Sequence, residues 1–504
     1  MNSFINKKYS PGRSDSGSIT VYFVLMMCVL VSLILTSILS AKVSAGRMQA
    51  ANSVDQALFS LFARYDRDLF EKYDLFFLNA GSEGSADIAS CITLLEDSMD
   101  YILKPNKGRS LLGAKNLLRL DRESSAVTSY TLATDAGGIP FEAEAVQAMK
   151  QTAVLDGITL LQEKLRQRES VEREGQQYVD HSKGSSYSDV EAASAEAQRE
   201  KEEEEAGEMP EEESAVEVPE GFVNPLPALY RLYRKKVMDV VVPDKENISQ
   251  KKVDLNQMVS HRNLNTGLGI VDARGCAAGA DNLYYIAWVI GHFGSYAEPV
   301  QACGLSYQLE YLLKGKAKDK DNLSAVIGDL MRVRQAANML CLYTDFEKSS
   351  ELSTLSLIIG TVMFIPEAEP IIKLILAALW AYAESLADVR ALLEGKKVAI
   401  VKSRETWQTD PEDLAISGGD LSRITVDAAG GTTYGEYLGT FILVMQRNTL
   451  TGRSMDMVES TIRGMGRENF RLDACISAMS VEMRIRSEKK VTFPVDASLC
   501  YLDL

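Results

Sequence analysis

Hydrophobic and polar positions change their pattern twice along this chain. From Ser16 to Ala41 a mainly apolar run of 26 residues carries no charged side chain. As a helix rising about 1.5 Å per residue it spans roughly 39 Å, more than the roughly 30 Å hydrocarbon core of a bilayer, so one transmembrane pass is predicted. Beyond it, Val54, Leu58, Leu61, Phe62, Tyr65 and Leu69 recur at three- and four-residue steps, one stripe of an amphipathic helix. No proline lies between Ser16 and Leu103. One helix can therefore leave the bilayer and continue as an amphipathic stalk within 42–78; alternatively the stripe is the first core helix of the outer domain.

Residues 79–168 read as a helical region, with Ile88–Leu103 and Glu142–Leu165 at helical spacing between glycine-containing turns. Residues 169–221 are rich in Glu, Ala and Ser and read as a solvated, partly helical low-complexity linker. The remainder, 222–504, is expected to be an α+β domain. Tyr230–Val241 and Leu323–Leu342 are predicted helical, and Leu305–Leu313 a strand or a short helix. The apolar runs Leu355–Ile365 and Ile371–Ala383 are each too short to cross a bilayer. Glu367 and Glu369 lie between them, so a buried helical hairpin is predicted, the first helix ending at Pro366 and the second opening near Pro370. The tail alternates: Met479, Val481, Met483 and Ile485, then Val491, Phe493 and Val495, a β-hairpin with one buried face and Pro494 at an edge. The fold class is mainly α with a smaller β part.

Charge sharpens the organisation. Of the net −16, the stretch 169–220 holds −14, from 18 acidic and 4 basic residues. No Lys/Arg stripe long enough to follow a phosphate backbone occurs, which argues against nucleic acid as a partner. Lys7, Lys8 and Arg13 against Asp15 make 1–15 a basic tail and favour a cytoplasmic N-terminus with the main body extracytoplasmic. Val43-Ser44-Ala45 offers a small-x-small cleavage site. The apolar core Ile19–Leu39 is longer than a secretory signal, so an uncleaved signal-anchor in a cell membrane is the expectation.

Candidate chemistry is sparse. The seven cysteines, at 28, 91, 276, 303, 341, 475 and 500, show no C-x-x-C and read mainly as buried thiols. Ser249-Gln250-Lys251-Lys252 and Ser487-Glu488-Lys489-Lys490 match S-x-x-K without its companion motifs. His181, His261 and His292 have no metal-ligand spacing; Gly267-Leu268-Gly269 lacks a third glycine, and Asp319-Lys320-Asp321-Asn322 lacks the glycine of a calcium loop. No catalytic, cofactor-binding or metal residue is assigned, and neither a cofactor nor a small-molecule substrate is indicated.

Several stretches resemble a known family. Gly17–Val21 leading into the apolar run, Arg64–Leu69 with Tyr73–Phe76, Ala381–Val398 and Asn469–Ile476 are similar to an uncharacterised family of bacterial envelope proteins associated with TadE- and TadG-like tight-adherence pilus components. The resemblance implies a non-enzymatic, pilin-like or accessory subunit of a pilus or related secretion apparatus, with other membrane subunits as partners. It carries over no catalytic residue. Prepilin processing follows a glycine and wants glutamate five residues on; after Gly17 that place is Tyr22, which favours a membrane-retained component over a filament subunit. The alternatives are a membrane-anchored extracytoplasmic enzyme or ligand sensor, and a cell-surface adhesin.

Overall fold

The structure, a computed structural model, describes residues 16–82, 85–103, 118–152, 155–204, 218–269, 280–300, 304–421, 430–487 and 491–503. The basic N-terminal tail lies outside the described residues. The architecture is α+β: an N-terminal apolar helix, a sheet module at its foot and a larger helical body.

The apolar run and the amphipathic stripe form one 47-residue helix, Ser16–Phe62. Its large side chains from Ile19 to Leu39 stand exposed, whereas Ala50, Val54, Ala57, Leu58, Leu61 and Phe62 are buried against helix Ile88–Leu103 and the sheet. The expected stalk over 42–78 is thus corrected. The helix stops at Phe62, and its last turns are core, because the sheet supplies apolar surface for the stripe to cover. Chain reversal follows at Asp66, whose carboxylate accepts from the Leu69 N–H and caps the short helix Arg67–Tyr73. The Tyr501 hydroxyl donates to the Phe62 carbonyl at 2.6 Å, satisfying an acceptor that the helix end leaves open.

The sheet contains β1 (Leu78–Asn79), β2 (Leu120–Leu132), β3 (Cys475–Ser487) and β4 (Thr492–Cys500), all pairings antiparallel with β3 central. β3 and β4 are the hairpin expected from the alternating tail, with Met479, Val481, Met483, Ile485, Phe493 and Val495 on the buried face. Pro494 sits on the edge strand β4, where a missing N–H is tolerated. β2 corrects the helical reading of 79–168. Its sequence, LDRESSAVTSYTL, is mostly polar, and it becomes a strand by pairing along the whole of β3. After β2 the chain turns through Ala136, Gly137 and Gly138, with φ of 52°, 77° and 91°, into a helix that ends at Thr152.

The helical body centres on Asp319–Thr344 and Glu369–Leu393. Phe346–Val362 and Glu369–Leu393 form the expected helical hairpin. The stretch Pro366–Leu393 is apolar enough to span a membrane, yet 67% of its most apolar window is buried inside the protein, with Trp380 and Leu386 fully enclosed. It is a core helix. Leu305–Leu313 resolves as helix Gln308–Lys314, and Tyr230–Val241 as two short helices, Leu226–Tyr233 and Val237–Val241.

The linker reading of 169–221 is corrected over its first part. Helix Leu155–Ser182 runs through Glu169, and Tyr187–Glu204 follows. Val171, Gly175 and Tyr178 recur on one face and pack on Asp319–Thr344, Tyr178 stacking on Tyr343 with ring centroids 4.8 Å apart. Tyr187 stacks on Tyr230 at 4.5 Å, and the Ser194 hydroxyl donates to the Met363 carbonyl at 3.0 Å. A few apolar residues at helical spacing suffice where the opposite face stays charged and wet. Residues 205–217, which carry much of the Glu-rich run, lie outside the described residues.

Candidate functional site

Two features stand apart from an ordinary core: the exposed apolar half of the N-terminal helix, and a cluster of buried charges in the helical body. The first is long and apolar enough to cross a membrane, with none of its most hydrophobic window buried. Within it Thr36 and Ser37 return their hydroxyls to the Ser32 and Leu33 carbonyls at 2.7 and 2.9 Å, so these polar groups are satisfied inside the helix, as a lipid environment requires.

The second is built by two helices and one loop. Arg334 projects from Asp319–Thr344, Glu384 and Asp388 from Glu369–Leu393, and Lys402 from the segment beyond. All four side chains are essentially inaccessible. Arg334 Nε donates to Asp388 Oδ2 at 3.0 Å, and Lys402 Nζ lies 2.5 Å from Glu384 Oε1 and 2.8 Å from Asp388 Oδ1. Arg334 also donates to the Ala399 carbonyl at 2.8 Å and to the Tyr437 hydroxyl at 3.0 Å, while Glu384 accepts from the backbone N–H groups of Gln408 and Thr409. Two cations face two anions, so the cluster is neutral as a whole.

Burial alone would push the Asp388 carboxyl up, but the adjacent Arg334 and Lys402 charges hold it below the usual carboxylate range. Burial would likewise pull Lys402 down, and Asp388 and Glu384 keep it raised. Arg334, Asp388 and Lys402 therefore stay ionised across neutral pH, the arrangement of an electrostatic lock between helices. A cleft of about 190 Å³ lies alongside, lined by Lys164, Gln167, Ala399–Val401, Thr406 and Gly430–Thr432. Lys164 at its rim is tied to Glu436 at 2.7 Å.

A further polar group joins Ser260, His261, Tyr311 and Asp456. Ser260 Oγ is 2.8 Å from His261 Nδ1 and donates to Asp456 Oδ2 at 2.5 Å; Tyr311 donates to the same oxygen at 2.9 Å. A nucleophilic triad needs the carboxylate behind the imidazole, on the ring nitrogen away from the serine. Here the carboxylate holds the serine itself, so the set reads as a brace between the Ser260 loop and helix Arg447–Gly464. Nearby Glu310 is wholly buried; it accepts from the Tyr434 hydroxyl and the Tyr296 N–H, each at 2.7 Å, and burial pushes its carboxyl up to about 7.

The residues singled out in the sequence are dispersed. Ser249 donates to Asp319 Oδ2 at 2.5 Å, and Asp319 also accepts from the Ser306 and Tyr307 N–H groups, so the first S-x-x-K serine and the first aspartate of the Asp-rich stretch anchor one loop together. Asn322 braces the Lys316 backbone. The lysines of the second S-x-x-K lie outside the described residues. His292 bonds the Trp288 carbonyl at 2.8 Å and faces Asp74 at 3.3 Å, while His181 sits in the last turn of a helix. Gly267 donates to Asp135, and Leu268 bridges Tyr130, extending the margin of β2 rather than cradling a phosphate. Cys91, Cys341 and Cys475 are buried free thiols. Among the described residues no group of three or more His, Cys, Asp or Glu side chains has a geometry that could hold a metal ion.

Sequence reading missed the Arg334 cluster. Its trace was available: Glu384 and Asp388, four residues apart, fall in the apolar stretch between Lys373 and Arg390, on the face that must be buried.

No curated protein and no solved structure matches the chain. A family model does match, over residues 214–487, which take in the helical body from Leu226 onward and β3 but not the N-terminal helix, helices Leu155–Ser182 and Tyr187–Glu204, β1, β2 or β4. With more than half of its length so matched, the chain belongs to the Family of unknown function (DUF5702).

Proposed function

We propose that this is a non-enzymatic single-pass protein of a bacterial cell membrane that works by assembling with other envelope subunits. The observation that carries the reading is the single helix Ser16–Phe62, apolar and exposed in its first half and rooted in the sheet core in its second. Such a helix couples a bilayer rigidly to a folded body, because no loop intervenes to absorb motion between them. The basic tail favours a cytoplasmic N-terminus and an extracytoplasmic body. The buried cluster around Arg334 supports a structural role for the body, since its charges neutralise one another.

The partners proposed are membrane subunits of a tight-adherence pilus or related secretion apparatus, on the strength of the TadE- and TadG-like resemblance and of Tyr22 at the place of the pilin glutamate. Protease treatment of intact and lysed cells tests the orientation. Degradation of the body in intact cells is expected, and full protection until lysis overturns it. Deleting the gene tests the assembly role: loss of surface pili or of the associated secretion is expected, and unchanged piliation and secretion overturn it.

A further inference from the structure

Two segments of the helical body meet in a single antiparallel bridge that sets Lys252 opposite Lys318. The Val253 N–H donates to the Ala317 carbonyl at 2.9 Å and the Asp319 N–H to the Lys251 carbonyl at 3.2 Å. Lys252 and Lys318 are thus the non-hydrogen-bonded pair, whose side chains lie closest, with Cα atoms about 4.5 Å apart. Like charges set directly opposite destabilise such a pair. Both lysines are exposed, and so are Lys316 and Lys320 beside them. Lys314 is held by Asp329, whereas Lys252, Lys316, Lys318 and Lys320 have no ion-pair partner among the described residues. Nearby acids do not cancel them. The segments 249–254 and 314–321 carry six lysines against three aspartates, and Asp319 is buried with its carboxylate taken up by Ser249, Ser306 and Tyr307. In a chain of net charge −16 this is a cationic face.

Its counterpart lies at the other end of the body. The lysines crown the start of helix Asp319–Thr344, which rises about 39 Å. Glu369–Leu393 runs antiparallel to that helix, Asp388 facing Arg334 and Ser385 facing Asn338, so its first turns project past Thr344. Phe346–Val362 lies beside those turns, Ser356 donating to Glu369, and just after its end the Met363 carbonyl receives the Ser194 hydroxyl. Helix Tyr187–Glu204 is thereby fastened at the far end from the lysines. Over 187–200 it exposes Asp189, Glu191, Glu196 and Glu200 against one base, Arg199. Glu196 and Glu200 are four residues apart on one face and have no ion-pair partner among the described residues, a like-charged pair that weakens the helix as Lys252 and Lys318 weaken the bridge. Each end carries a repulsion that the other relieves.

We propose that the lysine face of one copy takes the acidic helix of a second, so that the chain self-associates head to tail. Such a contact joins two different surfaces and leaves one of each open at the ends of the row, where further copies add. The charges meet at exposed positions, so the contact is salt-sensitive. The inference goes beyond the membrane reading above and does not depend on it: association is followed by sedimentation velocity on the full chain in non-ionic detergent, where topology plays no part. Concentration-dependent association at low salt is expected, with its loss in about 0.5 M salt. Lys318→Glu sets opposite charges across the bridge and should raise the thermal midpoint while weakening association about fivefold or more. Lys318→Glu with Lys320→Glu, and Glu196→Lys with Glu200→Lys, should each leave a monomer. Mixed, the two double variants should form pairs that grow no further, because only one lysine face and one acidic helix remain between them. A chain that stays monomeric at low salt, association that survives either double variant, or a mixture that fails to pair overturns the proposal. A monomeric chain that binds polyglutamate through these lysines gives the face to another protein's acidic segment and equally overturns the second copy.

Discussion

Gly175 and Ala336 bring two helices into backbone contact: a Cβ placed on Gly175 would overlap the Ala336 carbonyl oxygen. The acidic segment thereby becomes part of the body. Gly175→Ala should destabilise the protein by about 1–3 kcal/mol, since a carbonyl cannot yield as a flexible side chain can. In a solvated helix the same change would stabilise by up to about 1 kcal/mol, so the sign of the shift in thermal midpoint decides between packed helix and free linker.

Removing one partner of the buried cluster should cost more than removing a neutral pair. Arg334→Met leaves Asp388 with Lys402 as its remaining cationic partner and strips the Ala399 carbonyl of its donor; a loss of about 3–5 kcal/mol is expected in denaturant unfolding of the detergent-solubilised chain. Arg334→Met with Asp388→Leu keeps the Lys402–Glu384 pair and should recover a large part of that loss. Equal losses in the single and double variants would contradict the lock.

Glu144 is buried with one carboxyl oxygen unpartnered, and burial pushes its pKa up to about 8. Unfolded, it ionises near its ordinary value of 4.5. Between those two values the folded state binds the extra proton, so this group's contribution to stability falls as pH rises from about 4.5 to about 8 and is level above that. Glu144→Gln should flatten that part of the profile and raise the thermal midpoint at pH 8 relative to the wild type. A midpoint difference between the two proteins that does not change from pH 5 to pH 8 would show that Glu144 does not titrate in this way.

What could be read from the sequence was whatever a local period encodes. The uncharged run of 16–41, the stripe from Val54, the apolar hairpin around Pro366 and the alternating tail each declare their element within a dozen or so neighbours, because burial on one face imposes a repeat of 3.6 or 2 residues. Their partners carry no such mark. The polar strand β2 is a strand because β3 lies some 350 residues away to pair with it. Val171 and Tyr178 are core-facing because Asp319–Thr344 lies beneath them, and the stripe after the apolar run is core because the sheet covers it.

The candidate site divides in the same way. The N-terminal helix is a property of sequence, since a bilayer-spanning length of uncharged residues needs no tertiary partner to be recognised. Arg334, Asp388, Glu384 and Lys402 are each unremarkable in a chain that is one quarter charged. Only folding, which takes all four out of water and puts opposite charges within hydrogen-bonding distance, makes them a unit. The placement of β4 along the N-terminal helix is likewise tertiary, with Phe493 at Gly46 and Tyr501 at Phe62.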